Sequence, residues 1–303
     1  MALDADYLVD RSRLKRRLTF WRTTAIVIAV LLAAVAVGEF TGFASRSYIA
    51  RLDVDNVIVN DVERLQALED AASDSDIKAV MVRIDSPGGT VVGGEALYRT
   101  LRKVREKKPV VAVMGDLATS AGYMTAVAAE YIVAREGTIT GSIGVLFQAA
   151  EVTELLDKIG VSVAAIKSGP LKAEPSPFEK LTPEVRQATQ QLVDDMFDMF
   201  VDMVASQRRM TRPQVLALAD GRVFTGGMAL KNGLIDAIGG EDEALRWLAE
   251  QKGLDPDLPV RKLRIRREAD DLLGHVATLA RKTVFSERLT LDGLVSVWHP
   301  RLQ

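Results

Sequence analysis

Apolar and polar positions follow two rhythms along residues 47–134. SYIARLDV (47–54) has the two-residue rhythm of a strand, whereas NDVERLQALEDAAS (60–73) spaces its apolar residues as an amphipathic helix does. IKAVMVRI (77–84), PVVAVMG (109–115) and YIVA (131–134) are apolar, β-branched runs, the pattern of strands buried on both faces. Between them GGEALYRTLRKVREKK (93–108) reads as a helix, and residues 120–130 as a helix of small side chains. Strands alternating with helices predict an α/β fold with mostly parallel pairing.

VSVAAI (161–166) is again strand-like, and from Thr182 the texture becomes helical. Thr182 is a good N-cap with Pro183 at the first helical position. Leu192, Met196, Met199, Phe200, Met203 and Val204 then recur at helical spacing, which predicts a face packed on the core. Residues 212–240 predict two short helices punctuated by glycine, VRKLRIRR (260–267) a basic strand, and 269–282 an amphipathic stretch.

The N-terminus follows another pattern. Arg11, Arg13, Lys15, Arg16, Arg17 and Arg22 precede TTAIVIAVLLAAVAVG, sixteen residues without a charge. At about 1.5 Å per residue these fall slightly short of the ~30 Å hydrocarbon core, so Phe20, Trp21 and Phe40 would sit at the interfaces. Ala34-Val35-Ala36 also offers a cleavage sequence, so a retained anchor and a processed signal both fit. The expected organisation is a basic cytoplasmic segment (1–22), a transmembrane anchor or uncleaved signal (23–40), a catalytic domain (41–255) and a C-terminal extension (256–303).

Composition narrows the chemistry. A formal net charge of −2 argues against a nucleic-acid partner, which needs a basic face. With no cysteine there is no disulfide, thiolate site or cysteine nucleophile. His275 and His299 are the only histidines, too few for a zinc site and both in the weakly patterned C-terminal region. No metal and no cofactor is expected; SPGGTVVGG (86–94) lacks the Gly-Lys-Ser/Thr ending of a phosphate loop.

Two turns follow buried strands, DSPGGT (85–90) and GDLATSAG (115–122). If the strands are parallel neighbours, both turns lie at the carboxyl edge of the sheet, where open α/β folds bind ligands. Ser120 at a helix start would then face the amide of Gly89, with the amide of Ala121 as a second donor. A nucleophile and two backbone donors make the layout of acyl transfer. With histidine disfavoured, a lysine is the natural base. An ordinary lysine titrates near 10.4, so a base working at neutrality needs a drop of about three units, about 4 kcal/mol, which burial can supply. Lys103, Lys107 and Lys108 lie in charged clusters; Lys172 follows a Gly-Pro turn between Leu171 and Ala173, with Lys167 as its local rival.

Five segments together carry a resemblance: SPGG (86–89), SAGY (120–123), TGSIGV (140–145), IKSGPLK (166–172) and DGRVFTGGMALKNGLID (220–236). In this order they resemble the signal peptide peptidase A family, membrane-anchored bacterial Ser-Lys proteases, over roughly residues 45–250. The resemblance implies Ser120 as nucleophile, Lys172 as general base, Ser142 as the residue orienting the lysine, and the amides of Gly89 and Ala121 as the oxyanion hole. It also implies a crotonase-like/Clp protease-like α/β superhelix of ββα units behind one transmembrane helix, assembled as a homo-oligomeric ring or dome. The implied work is endoproteolysis of remnant signal peptides and other apolar peptides after export. The implied place is the bacterial inner membrane, single-pass, with the catalytic domain on the extracytoplasmic side. Ala121 stands where glycine is more frequent, which leaves a backbone donor intact.

Two other classes remain to be weighed. A catalytically silent membrane scaffold of the same fold would be expected to have lost Ser120, Ser142 or Lys172. A crotonase-type acyl-CoA enzyme would need carboxylates in the active-site turns and cytoplasmic access to coenzyme A.

Overall fold

The computed structural model describes residues 20–30, 47–265 and 294–297. Residues 20–30 are helical (α1) and belong to a unit separate from the body that starts at Ser47. Among the described residues no helix is long and apolar enough to cross a membrane. Residues 31–40 of the expected anchor and the amphipathic stretch 269–282 lie outside the described residues.

In the body, β1 (Tyr48–Asp55), α2 (Val62–Ser73), β2 (Ile77–Ser86), β3 (Gly88–Thr90), α3 (Val91–Arg105), β4 (Val110–Thr119) and α4 (Ala121–Ala126) follow in order. Then come β5 (Tyr131–Ala134), β6 (Ile139–Gly141), β7 (Leu146–Phe147), α5 (Thr153–Lys158), α6 (Pro183–Arg208) and α7 (Arg212–Leu216). The last elements are β8 (Val223–Thr225), α8 (Gly226–Lys231), β9 (Ala237–Ile238), α9 (Glu241–Lys252), β10 (Val260–Lys262) and β11 (Leu294–Val297). The main sheet runs β10-β1-β2-β4-β5-β9, every pair parallel. It continues past residue 255 into β10.

The β-branched runs are buried on both faces. Leu52, Val54, Val80, Val82, Ile84, Val110, Ala112 and Met114 join a cluster with Leu68, Leu97, Leu101, Phe200 and Val204, from α2, α3 and α6. The alternate residues Ile49, Ala79, Met81, Val111 and Val113 pack with Ala244 and Leu248 of α9. At about 25 cal/mol per Å² of apolar surface, this two-sided burial holds the sheet together. The C-terminal half of α6 (Phe200, Val201, Met203, Val204) is buried as its stripe predicts, while Leu192 is exposed.

Three expectations change. The apolar run 109–115 continues as strand to Thr119, so β4 enters α4 at Ser120 itself. The reason is a register irregularity: Ile84 pairs with Met114 but Ser86 with Ala118, and the two extra residues carry β4 from its pairing with β5 to a second one with β6. Asp85 accepts the Leu117 N–H and Thr138 donates to the Gly115 carbonyl, so polar groups at the irregularity are satisfied. The helix after Ser120 ends at Ala126 instead of residue 130. VSVAAI forms no strand; Val161, Val163 and Ile166 are exposed, because this stretch finds no sheet edge to pair with.

Candidate active site

β2 and β4 are parallel neighbours, so the turns that follow them lie side by side at one sheet edge. The first turn is tied by Ser86, whose Oγ accepts the Gly88 N–H (3.1 Å) and donates to the Asn56 carbonyl. Gly88 sits at φ 113. Gly89 passes so close to Ile58 that a Cβ there would lie 1.8 Å from the Ile58 carbonyl oxygen. Ile58 donates its N–H to Gly88 O (2.8 Å) and accepts the Thr90 N–H (2.9 Å). By strand alternation the N–H and C=O of Gly89 itself point away from Ile58. The role expected for the Gly89 amide needs that outward direction.

The second turn is Ser120 alone. It is the N-cap of α4 with φ 58 and ψ −119, a backbone state rarely adopted by a residue with a Cβ, and it is 1% exposed. Strain of this kind costs on the order of 1–3 kcal/mol and persists where the surroundings over-determine it. Here they do. The Ser120 N–H donates to Gly141 O (2.8 Å), its carbonyl accepts the Met124 N–H (2.8 Å), and Thr119 Oγ1 donates to Pro87 O (3.0 Å). A serine on a sharp strand-to-helix turn is the form of a nucleophile elbow, which lifts the hydroxyl out of both elements. Ala121, the first residue of α4, has an N–H with no acceptor inside its own helix.

β6 brings Ser142 to the same place. Thr119 pairs with Gly141, and Ser142 follows at φ 52 with its N–H donated to Arg222 O (2.8 Å). Ser142 is buried, and Thr140 Oγ1 donates to the Ala118 carbonyl (2.7 Å). Gly141 at φ 85 packs against the Phe224 ring, which leaves no room for a side chain. Ser120, Ser142, Gly89 and Ala121 therefore stand on adjoining turns of β2, β4 and β6.

Lys172 is placed differently. It lies in the segment between α5 and α6, exposed, with its N–H bonded to Gly169 O (3.1 Å). Its rival Lys167 is paired with Glu174 and with Glu179 (2.7 Å). The hydrogen bond that Lys167 donates to Glu174, reinforced by one to Glu179, holds its ammonium above the ordinary lysine range, the wrong direction for a base.

Sequence reasoning missed the supports behind the site. Tyr123 is fully buried and donates its hydroxyl to the Leu234 carbonyl (2.9 Å), and burial pushes the phenol up. Beside it Arg208 and Asp236 form a two-pronged pair (2.9 and 2.7 Å), and Asp236 also accepts the Ile132 N–H (2.8 Å). Burial is the largest influence and opposes the Arg208 charge, but the bonds to Asp236 and the charge interactions with Tyr123 and Asp236 together outweigh it, and the guanidinium is held above its usual value. No local signal marks this pair, although Tyr123 and Asp236 both fall inside the segments that carried the resemblance.

The description of peptidase family S49 matches residues 102–255, and that of Clp protease matches residues 45–138. A protein of Synechocystis sp. named as a protease is 42% identical over 71% of this chain and 78% of its own length. Protease 4 of Salmonella typhi is 39% identical over 60% of this chain, which spans 30% of that longer protein. The chloroplastic serine protease SPPA of Arabidopsis thaliana is 32% identical over 77% of this chain and 34% of its own length. A mixed α/β body with a Clp-protease-like region, a serine on a strained turn and these matches lead to one conclusion: the chain belongs to peptidase family S49, the signal peptide peptidase A family of serine proteases.

Proposed function

We propose that Ser120 is the nucleophile of this protease and Lys172 its general base. The observation that supports the reading most is the buried, positive-φ conformation of Ser120, held by its main-chain bond to Gly141 O and by the bond from the neighbouring Thr119 hydroxyl to Pro87 O. The lysine amine takes the Ser120 proton as Oγ attacks a peptide carbonyl; the developing oxyanion is met by the amides of Gly89 and Ala121. The amine then protonates the departing amide nitrogen, and water releases the acyl group by the reverse path. Ser142 orients the amine.

A base of this kind needs dry surroundings. Lys172 is exposed in the single chain, so another copy supplies that cover in a homo-oligomeric ring or dome built as a crotonase-like superhelix. The exposed apolar side chains of the same segment, Leu155, Ile159, Ile166, Leu171 and Phe178, support such an assembly. The basic stretch and the uncharged run at the N-terminus support single-pass anchoring in the bacterial inner membrane, with the protease on the extracytoplasmic side. The substrates in this reading are remnant signal peptides and other apolar peptides.

A serine-reactive phosphonate tests the nucleophile. It should label the wild-type protein at Ser120 and leave Ser120→Ala unlabelled; equal labelling of both proteins removes Ser120 from the mechanism. The same reagent separates the reading from a silent scaffold, which it would not label.

A further inference from the structure

Residues 220–222, Asp-Gly-Arg, form a turn that closes on itself. The Asp220 carboxylate accepts the Arg222 N–H at Oδ1 (3.1 Å) and the Nε–H of the same arginine at both oxygens (2.8 and 2.7 Å), with Nη2 as a further donor. One carboxylate thus fixes both the main chain and the side chain two residues on, an Asx turn braced by a charged fork. Gly221, between them, stands at φ 84, the left-handed state that the turn needs. The bonds from Arg222 hold the Asp220 carboxyl below its usual range, so it stays ionised wherever a lysine base can work.

Global stability gains little from this pair. Asp220 and Arg222 are both exposed, and an exposed ion pair contributes little. The consequence of the turn is local. It presents the Arg222 carbonyl to the Ser142 N–H (2.8 Å), and Val223, the next residue, pairs with Gly141 in the antiparallel ladder of β6 and β8. The turn also lies against the chain on both sides of Ser142. A Cβ on Gly141 would be 3.3 Å from Arg222 O, and one on Gly144 would be 3.5 Å from the Gly221 Cα. Ser142 itself stands at φ 52, a state that a residue with a Cβ keeps only where its neighbours over-determine it. The Arg222 carbonyl is part of that constraint. Without it Ser142 is free to relax toward ordinary backbone angles, and its hydroxyl moves with it.

We propose that Asp220 is a positioning residue of the peptidase: its carboxylate shapes the 220–222 turn, the turn holds the Arg222 carbonyl on Ser142, and Ser142 is thereby kept in the conformation that orients the base. In this role Asp220 acts only through Ser142. The proposal rests on the protease reading, in which Ser142 orients the Lys172 amine, and its test separates the two.

The test is a double-mutant cycle in the full-length protein, read as steady-state cleavage of a fluorogenic apolar peptide. Asp220→Ala removes the acceptors of the turn and should lower kcat about ten-fold while KM stays within about two-fold of wild type. Asp220→Asn keeps an oxygen for the Arg222 N–H and should hold kcat to within about two-fold of wild type. In a Ser142→Ala background no hydroxyl is left to aim, so there Asp220→Ala should change kcat by less than about two-fold. A role in folding or packing would instead give the same loss in both backgrounds. Equal loss in both backgrounds, or equal loss in the Asn and Ala variants, overturns the proposal. So does wild-type kcat in Asp220→Ala beside an impaired Ser142→Ala, a result that leaves the protease reading standing. Wild-type kcat in Ser142→Ala alone would reject the orienting role of that serine, and this inference would fall with it.

Discussion

The turns around Ser120 and the segment around Lys172 are built on opposite terms. Around Ser120 nearly every residue is buried, backbone groups are bonded across three strands, and unusual φ values are fixed by their surroundings. Residues 161–173 are largely exposed, and Ile166 has 105% relative exposure. A single chain can complete the first region because its partners all lie within one sheet. The second holds its apolar side chains outward, where solvent gives them nothing. In the proposed reading the nucleophile stands on a finished scaffold and the base on an unfinished one, the form of a site completed by assembly.

That contrast can be broken most directly at the two reacting groups. Ser120→Ala and Lys172→Ala should each lower kcat/KM for peptide hydrolysis by at least about 1,000-fold. As a dissociated single chain the Lys172 variant should unfold at the wild-type temperature, since its side chain is exposed there. Survival of near-normal hydrolysis in Lys172→Ala would move the base elsewhere.

Paired glycine substitutions sharpen the contrast at the level of stability. Gly89→Ala puts a methyl group into the Ile58 carbonyl and should cost about 3 kcal/mol in urea denaturation. Gly169→Ala, with nothing within 4 Å of its Cβ, should stay within about 0.5 kcal/mol of wild type. Similar costs at both positions would erase the difference between the regions. Asp236→Asn strands the mostly buried Arg208 and should cost about 2–4 kcal/mol by the same measurement.

The smallest effect expected is electrostatic. Glu174 is held below its ordinary value by Lys167, so its contribution is present above the usual glutamate range and is lost as pH falls through the lowered value. Lys167 is raised, so its contribution is full below the ordinary lysine range and fades as pH rises through the raised value. Proteolytic nicking within 161–180 should therefore increase at both extremes and stay flat between them. Glu174→Gln should flatten the acid side of that profile.

The alternation of buried runs and amphipathic helices was enough to find the sheet's central strands and their parallel pairing. It also placed the DSPGGT and Ser120 turns at one edge, because burial on two faces leaves a plain mark on composition. Tertiary pairings left weaker marks. The extension of β4 to Thr119 depends on β6 being present to receive it. VSVAAI carries strand propensity but meets no partner edge. Arg208 and Asp236 meet across a fold of the chain, and each looks like an ordinary solvated charge in sequence. β11 was hidden for the same reason: its four residues become a strand only between β3 and β7. At the candidate site, the adjoining turns that carry Ser120, Gly89 and Ala121 were legible in the sequence, Ser142 entered only through the resemblance, and the exposed surroundings of Lys172 left no mark.

The bond from the Ser142 amide to the Arg222 carbonyl has a consequence for biogenesis. Ser120 is held by Gly141, Gly141 sits against Phe224, and Ser142 is held by Arg222, so the hydroxyl proposed as nucleophile is not fixed in place until a stretch about a hundred residues downstream has docked. A chain ended at residue 215 should accordingly resist phosphonate labelling at any protein concentration, and one ended at residue 265 should accept it once assembled. In the proposed reading, the order of synthesis leaves the nucleophile turn unformed until most of the body has been made.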